Sequence, residues 1–248
     1  LPGSIRCAAC SAEYEHPKDA LNFITPAMRD QFRIDATDNV SGHGYDPAAM
    51  EMIESGGMVL DCGAGRKDVS FPNLIQMEVV NYPLVDVLAV NQTLPFRDAC
   101  FDAVLSLAVL EHVDQPFHCA AEIIRVMKPG ARLYANVPFL QTEHGYPHHY
   151  FGMTRMGLRR LFDGMLDVEL HHVPMSGHPI WTVWTVLRAY RDGLPPEQRD
   201  EFTQLKVEDI LSRDPIDWLA SPLVAALSEA AQWEIASTTT LIGTKRVA

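Results

Sequence analysis

The chain has 248 residues, 47% of them hydrophobic, with a formal net charge of -12 and a sequence pI of about 5.2. A chain this long buries an ordinary core without disulfide staples, and its acidity disfavours a phosphate-backbone substrate, so no nucleic-acid partner is expected. No run is long and apolar enough to span a bilayer, and no basic-then-apolar leader is visible. The 5 cysteines, odd and sparse, point to a reducing compartment. The expectation is a soluble cytoplasmic protein without a membrane partner.

Cys7 and Cys10 stand near the start of a polar stretch that reaches about Gly44 with few periodic apolar positions. It reads as an appendage, residues 1–44, ahead of a main domain, residues 45–248. Pro47 to Ser55 reads as a short helix, with Asp46 as N-cap, proline at the first helical position and Gly56-Gly57 as the stop. Met58 to Cys62 is a short apolar run ending at a glycine loop, the mark of a buried strand. Leu74 to Val80, Val85 to Val90 and Phe101 to Leu107 follow as strands. Pro116 to Met127 has helical spacing and ends at Pro129-Gly130. Leu133 to Val137 is a fifth strand, Thr154 to Phe162 a helix, and Val168 to Val173 and Thr238 to Thr244 complete seven strands. Strands alternating with helices imply an α/β doubly wound, mostly parallel sheet. A helical insert, about residues 175–235, precedes the last strand, broken by Pro195-Pro196 and Pro215.

The strongest chemical signal is Val59-Leu60-Asp61-Cys62-Gly63-Ala64-Gly65. A strand runs into Gly-x-Gly, where glycine lets the backbone turn tightly and approach a ligand. Asp61 stands at the strand's carboxyl end, where open α/β sheets bind ligands. Glu78, about one β-α-β half-unit further on, is placed to accept both hydroxyls of a ribose. A nicotinamide site usually carries a third glycine where this chain has Asp68. A carboxylate at that helix N-terminus would oppose a pyrophosphate. S-adenosylmethionine has no phosphate and is cationic at its amino group and sulfonium, which suits Asp61.

Further motifs follow in order: Leu94-Pro95-Phe96, Phe101-Asp102-Ala103-Val104, Val109-Leu110-Glu111-His112-Val113 and Glu122 through Gly130. With these, the stretch from Val59 to Pro138 resembles a class I S-adenosylmethionine-dependent methyltransferase of the group acting mainly on small molecules. The resemblance implies a seven-stranded Rossmann-like sheet. It also implies that Asp61, Gly63, Ala64 and Gly65 hold the methionine end of the cofactor, that Glu78 binds the ribose, and that Leu107 lies beside it. The Asp that often bonds the adenine amino group is Val90 here, which leaves adenine to Asn91, to Gln92 or to backbone.

Val137-Pro138-Phe139-Leu140, His144-Gly145-Tyr146-Pro147 and Tyr150-Phe151 resemble methyltransferases of polysaccharide and surface-glycan pathways. The Asp-Tyr-x-Arg of that branch is replaced by His149-Tyr150-Phe151-Gly152. Cys7 to Tyr14 resembles the second half of a small zinc ribbon; with two cysteines and no second pair, no bound metal is expected. His144, His148 and His149 cluster after the fifth strand. A general base for a hydroxyl nucleophile, a divalent-ion site and a local loop cap are the open readings. The base role falls on His144 first and His149 second.

The expected activity is methyl transfer to a small-molecule acceptor, more readily an oxygen of a sugar, glycan or natural-product intermediate. The alternative is a non-catalytic S-adenosylmethionine-binding partner on the same fold. The insert, with Trp181, Trp184 and Tyr190, is expected to enclose the acceptor, to form a dimer contact, or to extend the core, where an aromatic stripe at helical spacing more often lies. Oligomeric state stays open.

Overall fold

A computed structural model describes residues 4–6, 11, 13–15, 20–34, 42, 44–145, 148–168 and 172–237. The chain divides into two compact units, Leu1–Phe139 with Gly145–His171, and Leu140–His144 with His172–Ala248.

The first unit holds an antiparallel pair, β1 (Ser4–Arg6) and β2 (Glu13–Glu15), and a six-stranded sheet. The sheet strands are β3 (Leu21–Asn22), β4 (Val59–Cys62), β5 (Leu74–Glu78), β6 (Val87–Leu88), β7 (Phe101–Leu107) and β8 (Met127–Asn136), ordered β3-β6-β5-β4-β7-β8. Every pairing in it is parallel. The central strand β4 is buried at all its residues, as a strand covered on both faces must be.

Five of the seven expected strands are present, and six strands, not seven, form the sheet among the described residues. The sixth is β3, from the stretch read as polar and irregular. Its two residues are too few to show a period. They are held by pairing with β6, and by a small core in which Ala20, Ile24 and Ile34 meet Val85, Leu88 and Val90. The expected strand Thr238 to Thr244 lies outside the described residues. That at Val168 to Val173 lies partly outside them, and its described residues are in no strand.

Helix α1 is Pro26–Phe32 and α2 Pro47–Glu54. Asp46 caps α2 as expected, its side chain accepting from the Ala49 N–H. A 3-10 turn, Leu110–His112, follows β7, then α3 (Pro116–Val126) and α4 (Arg155–Leu161), the latter capped by Thr154. α3 turns Cys119, Ala120, Ile123 and Val126 inward, spaced at i, i+1, i+4 and i+7, onto the main core.

The second unit holds α5 (Pro179–Asp192), α6 (Pro196–Gln204), α7 (Val207–Leu211), α8 (Pro215–Trp218), α9 (Pro222–Ala225) and α10 (Glu229–Glu234). Pro179, Pro196, Pro215 and Pro222 each open a helix, where a missing N–H costs nothing. So Pro196 and Pro215 set helix starts inside the segment rather than merely breaking it. Trp181 and Trp184 of α5 are each 51% exposed, and α5 has no buried residue, so its aromatic stripe is surface and not core.

Candidate functional site

Because all six strands are parallel, their carboxyl ends lie on one edge. The chain winds outward from β4 through β5 to β6, then returns to β7 and β8 on the other side. The β4/β7 junction is therefore the switch point, where open α/β sheets leave a crevice.

Asp61 and Gly63 stand at this point. Gly63 has φ +85, and a β-carbon there would lie 2.7 Å from Val109 Cγ2. The two loops flanking the crevice thus approach too closely for a side chain. The Gly63 and Ala64 N–H groups donate to the Met77 carbonyl, each at 2.9 Å. Gly65 has φ +64, and its N–H donates to Glu78 Oε2 at 2.8 Å. The Val79 N–H donates to Oε1 at 2.7 Å. Burial raises the Glu78 carboxyl above its ordinary value, opposed by these N–H bonds.

Asp61 is fully buried. Its Oδ2 accepts from the Tyr45 hydroxyl at 2.8 Å and lies 4.0 Å from Lys67 Nζ. Its Oδ1 has no hydrogen-bond partner among the described residues. Burial pushes Asp61 up to about 6, against the Lys67 charge and the Tyr45 bond. An orphaned, buried carboxylate oxygen is costly unless something fills its acceptor capacity. A cationic amino group meets that need.

Residues 63–73 contain no helix. No helix follows Gly65, and Asp68 is exposed. The crossover has Pro72 near its end and no apolar helical period. It is pinned instead by Gln76 Nε2 donating to the Val69 carbonyl at 2.7 Å, and by Asn73 Nδ2 donating to the Ile53 and Gly57 carbonyls. The nicotinamide reading fails here for another reason: no helix dipole is present to meet a pyrophosphate.

Val90 is 2% exposed, inside the small β3 core, so it does not face a ligand. Asn91, next along, is 7% exposed with its Oδ1 unpartnered among the described residues. Gln92 Nε2 donates to Asp114 Oδ1 at 3.2 Å. Leu107 is buried at the end of β7. The structure thus brings Asp61, Gly63, Ala64, Gly65, Glu78, Asn91 and Leu107 to the carboxyl edge of one sheet.

The two candidate bases fall in different units. His144 belongs to the second unit, its Nδ1 2.7 Å from the Thr142 carbonyl. His149 belongs to the first, its ring 5.7 Å from that of His112. The loop around His149 is stitched to the turn after β7. The Tyr150 N–H donates to the Glu111 carbonyl at 2.7 Å, and His112 Nδ1 lies 2.7 Å from the His148 carbonyl.

Three residues of the edge escaped sequence reasoning as site groups: Tyr45, Lys67 and Glu111. Glu111 is fully buried, with neither carboxyl oxygen hydrogen-bonded to another described residue; His112 Nε2 is 3.7 Å from Oε1. Burial raises it to about 8. Its place in the Val109 to Val113 motif was the available signal. Lys67 and Tyr45 gave none beyond lying near Gly65 and Asp46.

Other motif residues prove structural. Arg125 donates to both Glu122 oxygens, at 2.7 and 2.8 Å, to Asp98 Oδ1 at 2.7 Å, and to the Phe96 and Leu94 carbonyls. It clamps the Leu94-Pro95-Phe96 loop onto α3. No helix among the described residues is long and apolar enough to cross a membrane.

Sheet and crevice are those of a Rossmann-like nucleotide fold, and residues 66–135 match the methyltransferase domain family. Over that stretch the chain is similar to methyltransferase domains. Among its relatives, an uncharacterized methyltransferase of Mycobacterium avium is 31% identical over 137 residues, covering 48% of this chain and 53% of that protein. An uncharacterized methyltransferase of Mycobacterium leprae is 38% identical over 78 residues, 29% of each chain. The chain thus spans between 29% and 53% of the length of these relatives. A similar solved structure is the 1,6-didemethyltoxoflavin-N1-methyltransferase of Burkholderia thailandensis, with bound 1,6-didemethyltoxoflavin and S-adenosylhomocysteine. It is 19% identical, covers 52% of this chain and 70% of that one, and has a TM-score of 0.39.

Proposed function

We propose that this protein transfers the methyl group of S-adenosylmethionine to a small-molecule acceptor, at an oxygen of a sugar, glycan or natural-product intermediate. The observation that carries the cofactor half of the reading is Asp61: fully buried, at the switch point, with Oδ1 unpartnered among the described residues. In this reading Asp61 takes the ammonium of the methionine end. Gly63, Ala64 and Gly65 leave room for it, Glu78 accepts from the ribose, and Asn91 meets the adenine edge. Leu107 supplies an apolar wall.

The cofactor supplies a methyl already activated on a sulfonium, so the protein's task is alignment and exclusion of water. A hydroxyl nucleophile also needs its proton removed. We assign that role to His149, whose loop is bonded to the turn that leaves β7. An imidazole titrates near neutrality, which suits the task.

Calorimetric titration with S-adenosylhomocysteine and with NAD tests the cofactor. Binding of the first and not the second is expected, and the reverse overturns the proposal. For the base, His149→Ala should lower turnover on the acceptor by about 10²–10⁴-fold with cofactor affinity retained. Full turnover in that variant removes His149 from the reaction.

A further inference from the structure

The second unit has a cavity of its own, of about 480 Å³, lined wholly by residues of that unit. The volume is in the range that takes a small molecule. Its walls come from α5, from α10 and from Thr142 in the segment Leu140–His144. The two helices meet where their residues are smallest. A β-carbon on Gly193, just past α5, would lie 2.3 Å from the Ala231 β-carbon, and the Ser228 N–H donates to the Gly193 carbonyl at 3.0 Å. The third wall is bonded to both helices. The Thr182 hydroxyl donates to the Leu140 carbonyl at 2.7 Å, and the Glu143 N–H to the Glu234 carbonyl at 2.9 Å. The walls are tied together by bonds that need no ligand, which lowers the cost of binding one.

The lining includes Trp184, Arg188, Asp192 and Glu234. The Arg188 guanidinium lies 5.0 Å over the Trp184 ring, so the place a ligand cation would take there is filled. Arg191 meets Asp192 at 2.6 Å and Arg188 meets it at 3.5 Å. Two guanidinium groups thus stand against the Asp192 and Glu234 carboxylates, and this balance favours no ligand of net charge. The carboxylates only accept hydrogen bonds and Arg188 only donates them. Its 3.5 Å contact with Asp192 is longer than a strong charged bond, which leaves most of its N–H groups for other partners. A hydroxyl both donates and accepts, and so answers both kinds of group. Trp184, half exposed, adds an apolar ring for a carbon-bound face.

We infer that this pocket binds a sugar, with its C–H face against Trp184 and its hydroxyls shared among Arg188, Asp192 and Glu234. The inference concerns the second unit alone and does not rest on the cofactor reading.

The test labels the full chain with 5-fluorotryptophan and follows its 4 indole signals by fluorine NMR. The Trp184 signal is assigned by its loss in Trp184→Phe. The probes are the methyl glycosides of glucose, galactose, mannose, rhamnose and N-acetylglucosamine, each titrated to about 50 mM. At least one should move the Trp184 signal, with a dissociation constant on the order of 1 mM. Arg188→Met should weaken that glycoside about 10- to 100-fold, the worth of a hydrogen bond to a charged group. Glu234→Gln, which keeps the shape and one acceptor, should weaken it about 3- to 10-fold. Both side chains are exposed, so neither variant should disturb folding. No movement of the Trp184 signal with any glycoside would overturn the inference. So would an unchanged affinity in Arg188→Met, or a Trp184 response to tetramethylammonium, phosphate or adenosine and to no glycoside. S-adenosylhomocysteine is titrated into the same sample. If it binds and no glycoside does, the sugar site falls and the cofactor reading stands; the opposite result reverses the two.

Discussion

Replacing Glu111 by glutamine should stabilise this protein, and increasingly so as pH rises. The side chain is fully buried without a hydrogen bond from another described residue, and burial lifts its carboxyl from 4.5 to about 8. In the unfolded chain it ionises near 4.5, so between there and about 8 the folded state binds a proton that the unfolded state has lost. With a raised carboxylate pKa, folding stability falls as pH climbs through that window and levels off above it. The window spans about 3.5 units, and at ~1.4 kcal/mol per unit the upper bound is about 5 kcal/mol. Relaxation and water entry reduce this, so about 2–4 kcal/mol is expected at about pH 8. Gln keeps the shape and abolishes the titration. The two proteins should be nearly equal in stability at about pH 5 and diverge to about pH 8. Asp61 is also raised, to about 6, and slopes the same way, but it is common to both and cancels in the difference. The assay needs a probe of the sheet. All 4 tryptophans, at 181, 184, 218 and 233, lie in the second unit, so their fluorescence follows the wrong part. Hydrogen exchange at β4 and β7 amides, with urea unfolding by far-ultraviolet circular dichroism, reads the right one. Parallel stability curves for the two proteins across this range would refute the reasoning, because Glu111 would then be ionised and satisfied when folded.

Three other perturbations have definite outcomes. Gly63→Ala puts a β-carbon 2.7 Å from Val109 Cγ2 at a positive φ; it should cost about 1–3 kcal/mol of stability and abolish S-adenosylhomocysteine binding, and binding retained in a thermal-shift titration would count against the crevice. Glu78→Ala should weaken that ligand by about 1.5–3 kcal/mol, and calorimetry showing no change removes Glu78 from the ribose. Arg125→Met breaks three hydrogen bonds from α3 to the 94–98 loop and two to Glu122 within α3; because the guanidinium is partly exposed, the loss should be about 2–3 kcal/mol, with ligand affinity unaltered, and an unchanged urea midpoint would show that the clamp contributes nothing.

Much of the scaffold was legible along the chain. β4, β5 and β7 are apolar runs bounded by turn residues, and α2 announces itself by Asp46 and Pro47. Gly63 was legible too, because a strand running into Gly-x-Gly asks for a conformation that few other residues take. These are local demands, satisfied within a few residues of where they arise. β3 was not legible, since two residues hold no period and their pairing partner, β6, is about 65 positions away. Nor was the missing helix after Gly65. The Gly-x-Gly pattern resembles that of crossovers that do continue as helices, and here the loop is held by Gln76 and Asn73 bonds formed only once β5 is docked.

The sequence by itself determined a parallel α/β sheet with an acid and a glycine turn at the end of its central strand. Period, caps and turn residues are short-range properties and need no knowledge of the rest of the molecule. The tertiary structure alone decided which charges share the crevice. Lys67 is buried against Asp61 and Tyr45, Glu111 is buried with no hydrogen bond from another described residue, and the His149 ring lies near that of His112 in the turn after β7. Charge, pKa and the lack of a partner belong to the space around a group, and folding fills that space with residues from distant parts of the chain.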